Sequence, residues 1–478
     1  MNIKMSLNLL GKVFLCEAAL LFIPAIISIF HNESILGFSA AIFIATILGV
    51  GFILIKPTTK TIYSKEGFLV CALSWIGLSL VGAVPFVVER WIPSYIDAFF
   101  EIVSGFTTTG ATILSDFSHK GTYGLFFWRS FSHFIGGMGV LVFVLAIIPL
   151  SSERSMNLMR AEVPGPVVGK IVPKLKNTAI ILYVIYVGLT LLQVVFLLIG
   201  GMSIYEAFIH AFATAGTGGF SNRAGSLAEF SPYIQYVTSI FMLIFATNFN
   251  LHYYILLKQV KAVIKDEEYR VYLIIVALFT AAITINTISM FSSAEESFRI
   301  AFFQVSSIIS STGFVTIDLV KLPEFSQVLL VILMFIGACA GSTGGGLKIS
   351  RIIIVLKSYI NEVKRLIRPS EVVKVRINDI ALPDPIVRST LIFFCIYLTI
   401  TAISIIIIAL DGFDFATTCT AVISCMGNMG PGLWKGSCFE MFSDLSKITL
   451  SINMLLGRLE IFPIIVLFTP SVWKSRMK

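Results

Sequence analysis

Charge is scarce in this chain. Only 13% of its 478 residues are Asp, Glu, Lys or Arg, while 56% are hydrophobic. A soluble domain carries about a quarter charged residues, so a water-soluble globular fold is excluded and an integral membrane protein is expected. Ligand patterns are missing too. The seven cysteines (Cys16, Cys71, Cys339, Cys395, Cys419, Cys425, Cys438) lie mostly in apolar runs without metal-ligand spacing, and the five histidines (His31, His119, His133, His210, His252) are scattered. No disulfide framework or metal site is expected, and most of the histidines read as packing or interface residues. No nucleophile–base constellation is present, so no enzyme is expected. The first apolar run lacks a small-residue cleavage site and reads as a retained helix, not a signal peptide. The formal charge of +8 does not indicate nucleic acid, because Lys and Arg sit in short loops between apolar runs, the positive-inside pattern.

What is present is a sequence of long apolar runs. Residues 9–29 and 35–55 are each long enough to span as helices and are separated only by His31, Asn32, Glu33 and Ser34, so they form a hairpin. Lys56, Lys60 and Lys65 follow on the expected cytoplasmic side. Four units then repeat one order: a long apolar run, a short one, a small polar turn and a second long run. Their runs are 68–88, 98–106 and 125–150; 179–199, 205–215 and 233–257; 271–291, 298–310 and 328–355; and 389–410, 413–425 and 448–468. The unit boundaries fall at 1–60 for the hairpin, then 61–160, 161–262, 263–370 and 371–478. Ten spans, an even number, put both termini in the cytoplasm.

The short runs carry the functional signal. They are too short to cross a bilayer of about 30 Å as helices and read as re-entrant segments. Each leads into a turn rich in glycine and small polar residues: Thr107, Thr108, Thr109 and Gly110; Gly216, Thr217, Gly218 and Gly219; Ser311, Thr312 and Gly313; Asn428, Met429 and Gly430. Glycine lets a backbone carbonyl be aimed freely. Irregular backbone at membrane depth must face protein or a water-filled cavity. A single such turn is explained by helix packing. Four in one architectural position predict a ring of carbonyls that replaces the hydration shell of K⁺, with Gly110, Gly218, Gly313 and Gly430 at its level. Helices descending from outside direct their partially negative C-terminal ends inward, which favours a cation.

The loops on the other side carry Arg154, Arg160, Lys170, Lys174 and Lys176; Lys258, Lys261, Lys265 and Arg270; Lys357, Lys364, Arg365, Arg368, Lys374 and Arg376; and Lys474, Arg476 and Lys478. The turn side has only scattered positives such as Arg90, Lys120, Lys321 and Lys435. The basic loops read as topology signals, and the polar 358–385 segment is also a candidate docking surface for a cytosolic partner.

The chain resembles the Trk/Ktr/HKT superfamily of potassium transport proteins, and within it the TrkH-type membrane subunit of bacteria. The resemblance covers almost the whole chain, including the N-terminal hairpin. Its residues are Gly105, Phe106, Thr107, Thr108, Thr109, Gly110, Ala111 and Thr112; Trp128, Arg129 and Ser130; Gly136, Gly137, Met138 and Gly139; Thr217, Gly218, Gly219, Phe220 and Ser221; Asn248, Phe249 and Asn250; residues 341–346; Asn428, Met429, Gly430, Pro431 and Gly432; and Gly457, Arg458, Leu459 and Glu460. His133 departs from the glutamine of many relatives. The resemblance implies an all-α membrane protein with a K⁺ pore in each protomer, K⁺ as the transported ion and no covalent cofactor. It further implies a homodimer in the bacterial inner membrane and a cytosolic nucleotide-binding regulatory partner of the TrkA type. Glycine at every ring position implies K⁺ over Na⁺. A Na⁺-permeable or cation-coupled relative is the alternative, followed by a secondary transporter of an organic solute. Inverted repeats would mark the latter, whereas two full spans per unit keep successive units in one orientation.

Two further features belong to the expected pore. Residues 328–355 are too long for one simple span and are interrupted by Gly337 and by Gly341, Ser342, Thr343, Gly344, Gly345 and Gly346. They predict an intramembrane gating loop at Gly341, Gly344, Gly345 and Gly346, moved by a partner pulling on residues 348–357. A kink for close helix packing is the alternative. Arg458 sits in the last apolar run, where a charge costs about 2.5–3.5 kcal/mol on insertion scales and faces a cavity or a partner. Pairing with Glu460 is the structural alternative, but residues two apart on a helix do not face each other. An interhelical partner stays open, and a pore-facing place beside the gate is the expectation. Arg129, near the outer end of its helix, reads as an anchor.

Overall fold

A computed structural model describes residues 3–57, 64–115, 117, 122–139, 175–370, 373–435 and 438–468. Helices Ile3–Phe30 and Leu36–Ile53 form the N-terminal hairpin. They approach closely because glycines face each other: a Cβ on Gly11 would lie 2.7 Å from the Gly49 carbonyl oxygen. Two carboxylates seat the hairpin on the first unit. Glu33 accepts from the backbone N–H groups of Tyr123 at 2.7 Å and Gly124 at 3.0 Å, where the free donors of a helix start favour an anion. Glu89 accepts from the Gly37 N–H at 2.6 Å.

Each of the four units has a leading helix, a short helix, a turn and a trailing helix. The leading helices are Ser64–Gly82 continued by Val84–Val88, then Leu175–Ile199, Glu267–Thr287 and Asp384–Ile408. The short helices are Tyr95–Phe106, Ile204–Ala215, Ala294–Ile309 and Phe415–Gly427. Each short helix starts at a side-chain cap: Ser94, Ser203, Ser293 and Asp414 accept the N–H groups of Asp97, Glu206, Glu296 and Thr417. The Thr417 hydroxyl and amide hold the exposed Asp414 carboxyl below its ordinary range. Trailing helices begin with Tyr123–Gly137, Pro232–Phe245, Glu324–Ile336 and Asp444–Arg458.

Polarity runs inside out. The leading helices expose Leu191, Val195, Ile274, Leu278 and Ile406. The polar Ser104, Thr107, Thr214, Thr217, Ser306, Ser310, Thr312, Ser424 and Asn428 are fully buried. Lipid outside and a polar axis inside require that arrangement. Among the described residues, six helices are long and apolar enough to cross a membrane, or seven if Pro232–Phe245 and Phe249–Leu256 count as one span.

The trailing runs differ from single continuous helices. The second bends by 96° between Phe245 and Phe249, where the Asn248 side chain accepts the Asn250 N–H at 3.0 Å and starts a new helix. The third is interrupted over residues 337–348 before helix Ile349–Ile367 resumes. The fourth stops at Arg458, with Glu460 and Ile461 at φ 58° and 64°, before Phe462–Phe468. The first described trailing helix ends at Gly137, and residues 140–150 of that run lie outside the described residues, as do Lys60, Lys120, Arg154, Arg160, Lys170, Lys174, Lys474, Arg476 and Lys478. The 358–385 segment is not loop throughout: Ile349–Ile367 runs into it, and Arg376–Ile377 pairs antiparallel with Ile380–Ala381.

Candidate functional site

All four short helices end in one backbone motif. Thr108, Thr217, Ser311 and Asn428 adopt left-handed φ of 54°, 57°, 56° and 53°. The next N–H in each case reaches back over the helix end: Thr109 to Ser104 O at 2.8 Å, Gly218 to Ala213 O at 2.8 Å, Thr312 to Ser307 O at 2.9 Å and Met429 to Ser424 O at 2.9 Å. This is a Schellman closure. A non-glycine residue in the left-handed region costs about 1–3 kcal/mol, so four of them at equivalent places mark a conformation imposed by the surroundings.

Two residues beyond each left-handed residue stands a glycine with positive φ: Gly110 at 79°, Gly219 at 77°, Gly313 at 83° and Gly430 at 94°. A Cβ on Gly110 would overlap the carbonyl oxygen of Gly218, one on Gly219 that of Thr312, and one on Gly313 that of Met429. A Cβ on Gly430 would lie 2.6 Å from the Thr109 oxygen. The contacts close on themselves, from unit one to two, two to three, three to four and four to one. Four backbone segments therefore form a closed circle in which each ring glycine lies against a carbonyl oxygen of the next unit. The Asn428 amide adds a side-chain tie, donating to Thr109 Oγ1 at 3.0 Å and to the Met454 carbonyl at 2.9 Å.

The ring corrects one residue of the sequence reading. Gly219, not Gly218, takes the place of Gly110, Gly313 and Gly430. Gly218 stands one residue earlier, level with Thr109, Thr312 and Met429. Two adjacent glycines leave the register open in sequence, and the left-handed Thr217 settles it. Ser311, the first residue of the third turn, is the counterpart of Thr108, Thr217 and Asn428. Gly218 has its own tight neighbour: a Cβ there would overlap the ring of His133. His133 is fully buried, its Nδ1 2.7 Å from the Gly105 carbonyl and its ring centroid 4.2 Å from that of Phe220.

The interrupted stretch 337–348 lies against the ends of the third and fourth short helices. Gly345 N–H donates to Ser311 Oγ at 2.5 Å. A Cβ on Gly344 would come within 2.8 Å of the Ser310 oxygen, and one on Gly345 would overlap the Gly427 oxygen. Gly337, Gly341 and Gly346 have φ of 72°, 70° and 79°. Glu268 Oε1 accepts from Ala340 N–H at 2.7 Å and Ser350 N–H at 3.0 Å, so one carboxylate holds both ends of the loop. Lys348, expected at the start of a cytosolic handle, is instead buried within the loop and donates to the Gly344 carbonyl at 2.5 Å.

Arg458 joins this loop to the first unit. Its Nη1 donates to the Thr343 carbonyl at 2.6 Å, and its Nη2 to the Gly136 and Gly137 carbonyls at 2.5 and 2.8 Å. Glu460 pairs with Arg351 at 2.5 Å instead. A guanidinium with acceptors on two units is what geometry allows where the helix ends immediately after it. Among the described residues no group of three or more His, Cys, Asp and Glu could hold a metal ion. At each ring glycine the neighbouring group is an uncharged backbone oxygen.

Comparison with known proteins places this geometry in context. The profile of the TrkH family, described as a cation transport protein, matches residues 36–475. The Trk system potassium uptake protein TrkH of Escherichia coli (strain K12) is 36% identical over 488 aligned residues, covering 99% of this chain and 100% of that protein. The Trk system potassium uptake protein TrkG of the same strain is 33% identical, covering 95% of each chain. The crystal structure of the potassium transporter TrkH from Vibrio parahaemolyticus superimposes with a TM-score of 0.89 at 31% identity, covering 99% of this chain and 100% of that one.

Proposed function

The chain belongs to the TrkH family of cation transport proteins, and from that premise we propose that it takes up K⁺ through a pore selected by a single ring of backbone carbonyls. The observation that carries this reading is the closed circle of Gly110, Gly219, Gly313 and Gly430, each lying against the next unit's carbonyl. A dehydrated K⁺ at this level exchanges water oxygens for carbonyl oxygens of the turns at Thr108, Thr109, Gly110, Thr217, Gly218, Gly219, Ser311, Thr312, Gly313, Asn428, Met429 and Gly430. The C-terminal ends of four short helices add partial negative charge. Below the ring, the loop of residues 341–346 blocks the path, and Arg458 both repels cations and ties the loop down through Thr343.

The assembly follows from the same premise. Ten spans with both termini in the cytoplasm arrange the four units about the pore, with the hairpin appended to unit one. The protein works as a homodimer in the lipid of a bacterial inner membrane, and a cytosolic nucleotide-binding subunit of the TrkA type shifts the loop. The test is tracer flux in proteoliposomes. Gly110→Ser, Gly219→Ser and Gly313→Ser are each expected to lower the Rb⁺/Na⁺ uptake ratio, because the added side chain displaces a carbonyl of the neighbouring unit. An unchanged ratio in all three variants moves ion selection away from this ring.

A further inference from the structure

Behind the ring lies an outer layer of side chains. At one and the same offset before Gly110, Gly219 and Gly313, the short helices carry Glu101, His210 and Gln304, all fully buried. Each reaches a hydroxyl just beyond its ring glycine. Glu101 Oε1 accepts from Thr112 Oγ1 at 3.0 Å, and its Oε2 from Ile113 N–H at 2.9 Å. His210 Nδ1 lies 2.8 Å from the Glu206 carbonyl, which only accepts, so Nδ1 carries the proton. His210 Nε2 is then the acceptor for the Ser221 hydroxyl at 3.0 Å. Gln304 Nε2 donates to Thr316 Oγ1 at 3.2 Å. The fourth short helix has Ala421 at this offset, and its neighbour Thr420 accepts from Leu433 N–H at 3.0 Å instead.

In the first unit the strut is ionic. Arg129 Nε meets Glu101 Oε1 at 2.7 Å, with side chains 1% and 0% exposed. The same guanidinium donates to Thr112 Oγ1 at 3.2 Å and to the Ser221 carbonyl at 3.3 Å, and its centre lies 4.1 Å from the Phe220 ring. It therefore joins the outgoing strands of units one and two. Three chemically different pairs, Glu–Thr, His–Ser and Gln–Thr, start at one offset on the short helix and end two residues beyond the ring glycine in units one and two and three beyond it in unit three. Helix packing alone requires no such recurrence.

We propose that Thr112, Ser221 and Thr316, held by Glu101, His210 and Gln304, are positioning residues for ion selection. The proposal rests on the reading of the glycine ring as the selecting element. A ring free to contract would follow the smaller Na⁺ as readily as it fits K⁺. The struts fix the strand leaving each turn and so resist that contraction. Loss of a strut then costs discrimination before it costs conduction.

The experiment measures Rb⁺ and Na⁺ tracer uptake by the full chain in proteoliposomes. Thr112→Val and Thr316→Val remove a hydroxyl while keeping side-chain shape. Thr112→Ser and Thr316→Ser restore the hydroxyl, and Ser221→Ala removes one without adding bulk. The Rb⁺/Na⁺ ratio is expected to fall about fivefold in Thr316→Val and Ser221→Ala, the factor that one lost neutral hydrogen bond supplies, and further in Thr112→Val, whose hydroxyl bonds to the Glu101 carboxylate and the Arg129 guanidinium, and to recover in the serine variants. A merely structural role would lower protein yield or total flux and leave the ratio of every folded variant unchanged. Gly110→Ser serves as the ring control. If it shifts the ratio while the hydroxyl variants do not, the struts are overturned and the ring reading stands. If it also leaves the ratio unchanged, the ring reading falls and the struts fall with it. Ser221→Ala decides the outcome wherever a valine variant does not fold.

Discussion

Each ring glycine lies against backbone, and that decides which substitutions the site accepts. Gly219 meets the Thr312 carbonyl, which has no rotamer to yield, whereas Gly218 meets the His133 ring, a side chain that can be shortened. Overpacking costs about 1–3 kcal/mol in a tight interior. Gly218→Ala is therefore expected to reduce K⁺ flux and to be rescued by His133→Ala. Gly219→Ala is expected to resist rescue by any side-chain truncation. Equal rescue of both in tracer flux would refute the assigned register. Arg458 offers a second test at this scale. Hydrogen bonds to a charged group are worth about 1.5–3 kcal/mol each, so Arg458→Gln is expected to raise basal K⁺ flux by on the order of tenfold. Arg458→Lys separates charge from tether. Wild-type flux in the lysine variant assigns the effect to charge, and glutamine-like flux assigns it to the lost bonds to Thr343, Gly136 and Gly137. Wild-type flux in a folded Arg458→Gln variant leaves the residue a structural role only.

Among elements, the described trailing helices of units two, three and four break after Phe245, Ile336 and Arg458. The breaks serve one another. Cys339 N–H donates to the Ala246 carbonyl at 3.1 Å and Phe249 N–H to the Gly341 carbonyl at 3.0 Å, while Arg458 reaches Thr343. Broken backbone is tolerated because its exposed groups find partners, some in another unit and others, such as Ala340 N–H on Glu268 and Gly345 N–H on Ser311, within unit three. Only the break at residues 337–348 inserts a loop, and it is more than a kink. Deleting Gly344, Gly345 and Gly346 is expected to raise basal K⁺ flux and weaken control by a regulatory subunit. A folded deletion variant with normal flux and normal regulation would remove the gating role. The break was legible in the run of glycines. Its anchors, Glu268 at both ends and Ser311 at the middle, were not, because they come from helices distant in sequence.

For the whole molecule, the apolar faces of the leading helices point outward and the basic residues Lys258, Lys261, Lys265, Arg270, Lys364, Arg365 and Arg368, in the segments between units, are exposed. Their bias toward one set of loops is the signal on which the proposed cytoplasmic placement of both termini rests. A reporter fused after Lys478 is expected to read as cytoplasmic, and an external signal would contradict the ten-span arrangement together with the unit boundaries.

The sequence by itself determined the membrane class, the hairpin, the four-unit order and the identity of the turns. These depend on local quantities: apolar length, glycine content and the side on which Lys and Arg fall. Only the tertiary structure decided that Gly219 completes the ring, that the second and fourth trailing helices break, that Glu460 takes Arg351 while Arg458 takes carbonyls of two units, and that Glu101, His210 and Gln304 each reach a hydroxyl beyond their ring glycine. Those facts depend on contacts between units far apart in the chain. Backbone register and hydrogen-bond partners across such distances leave no periodic trace in a single sequence.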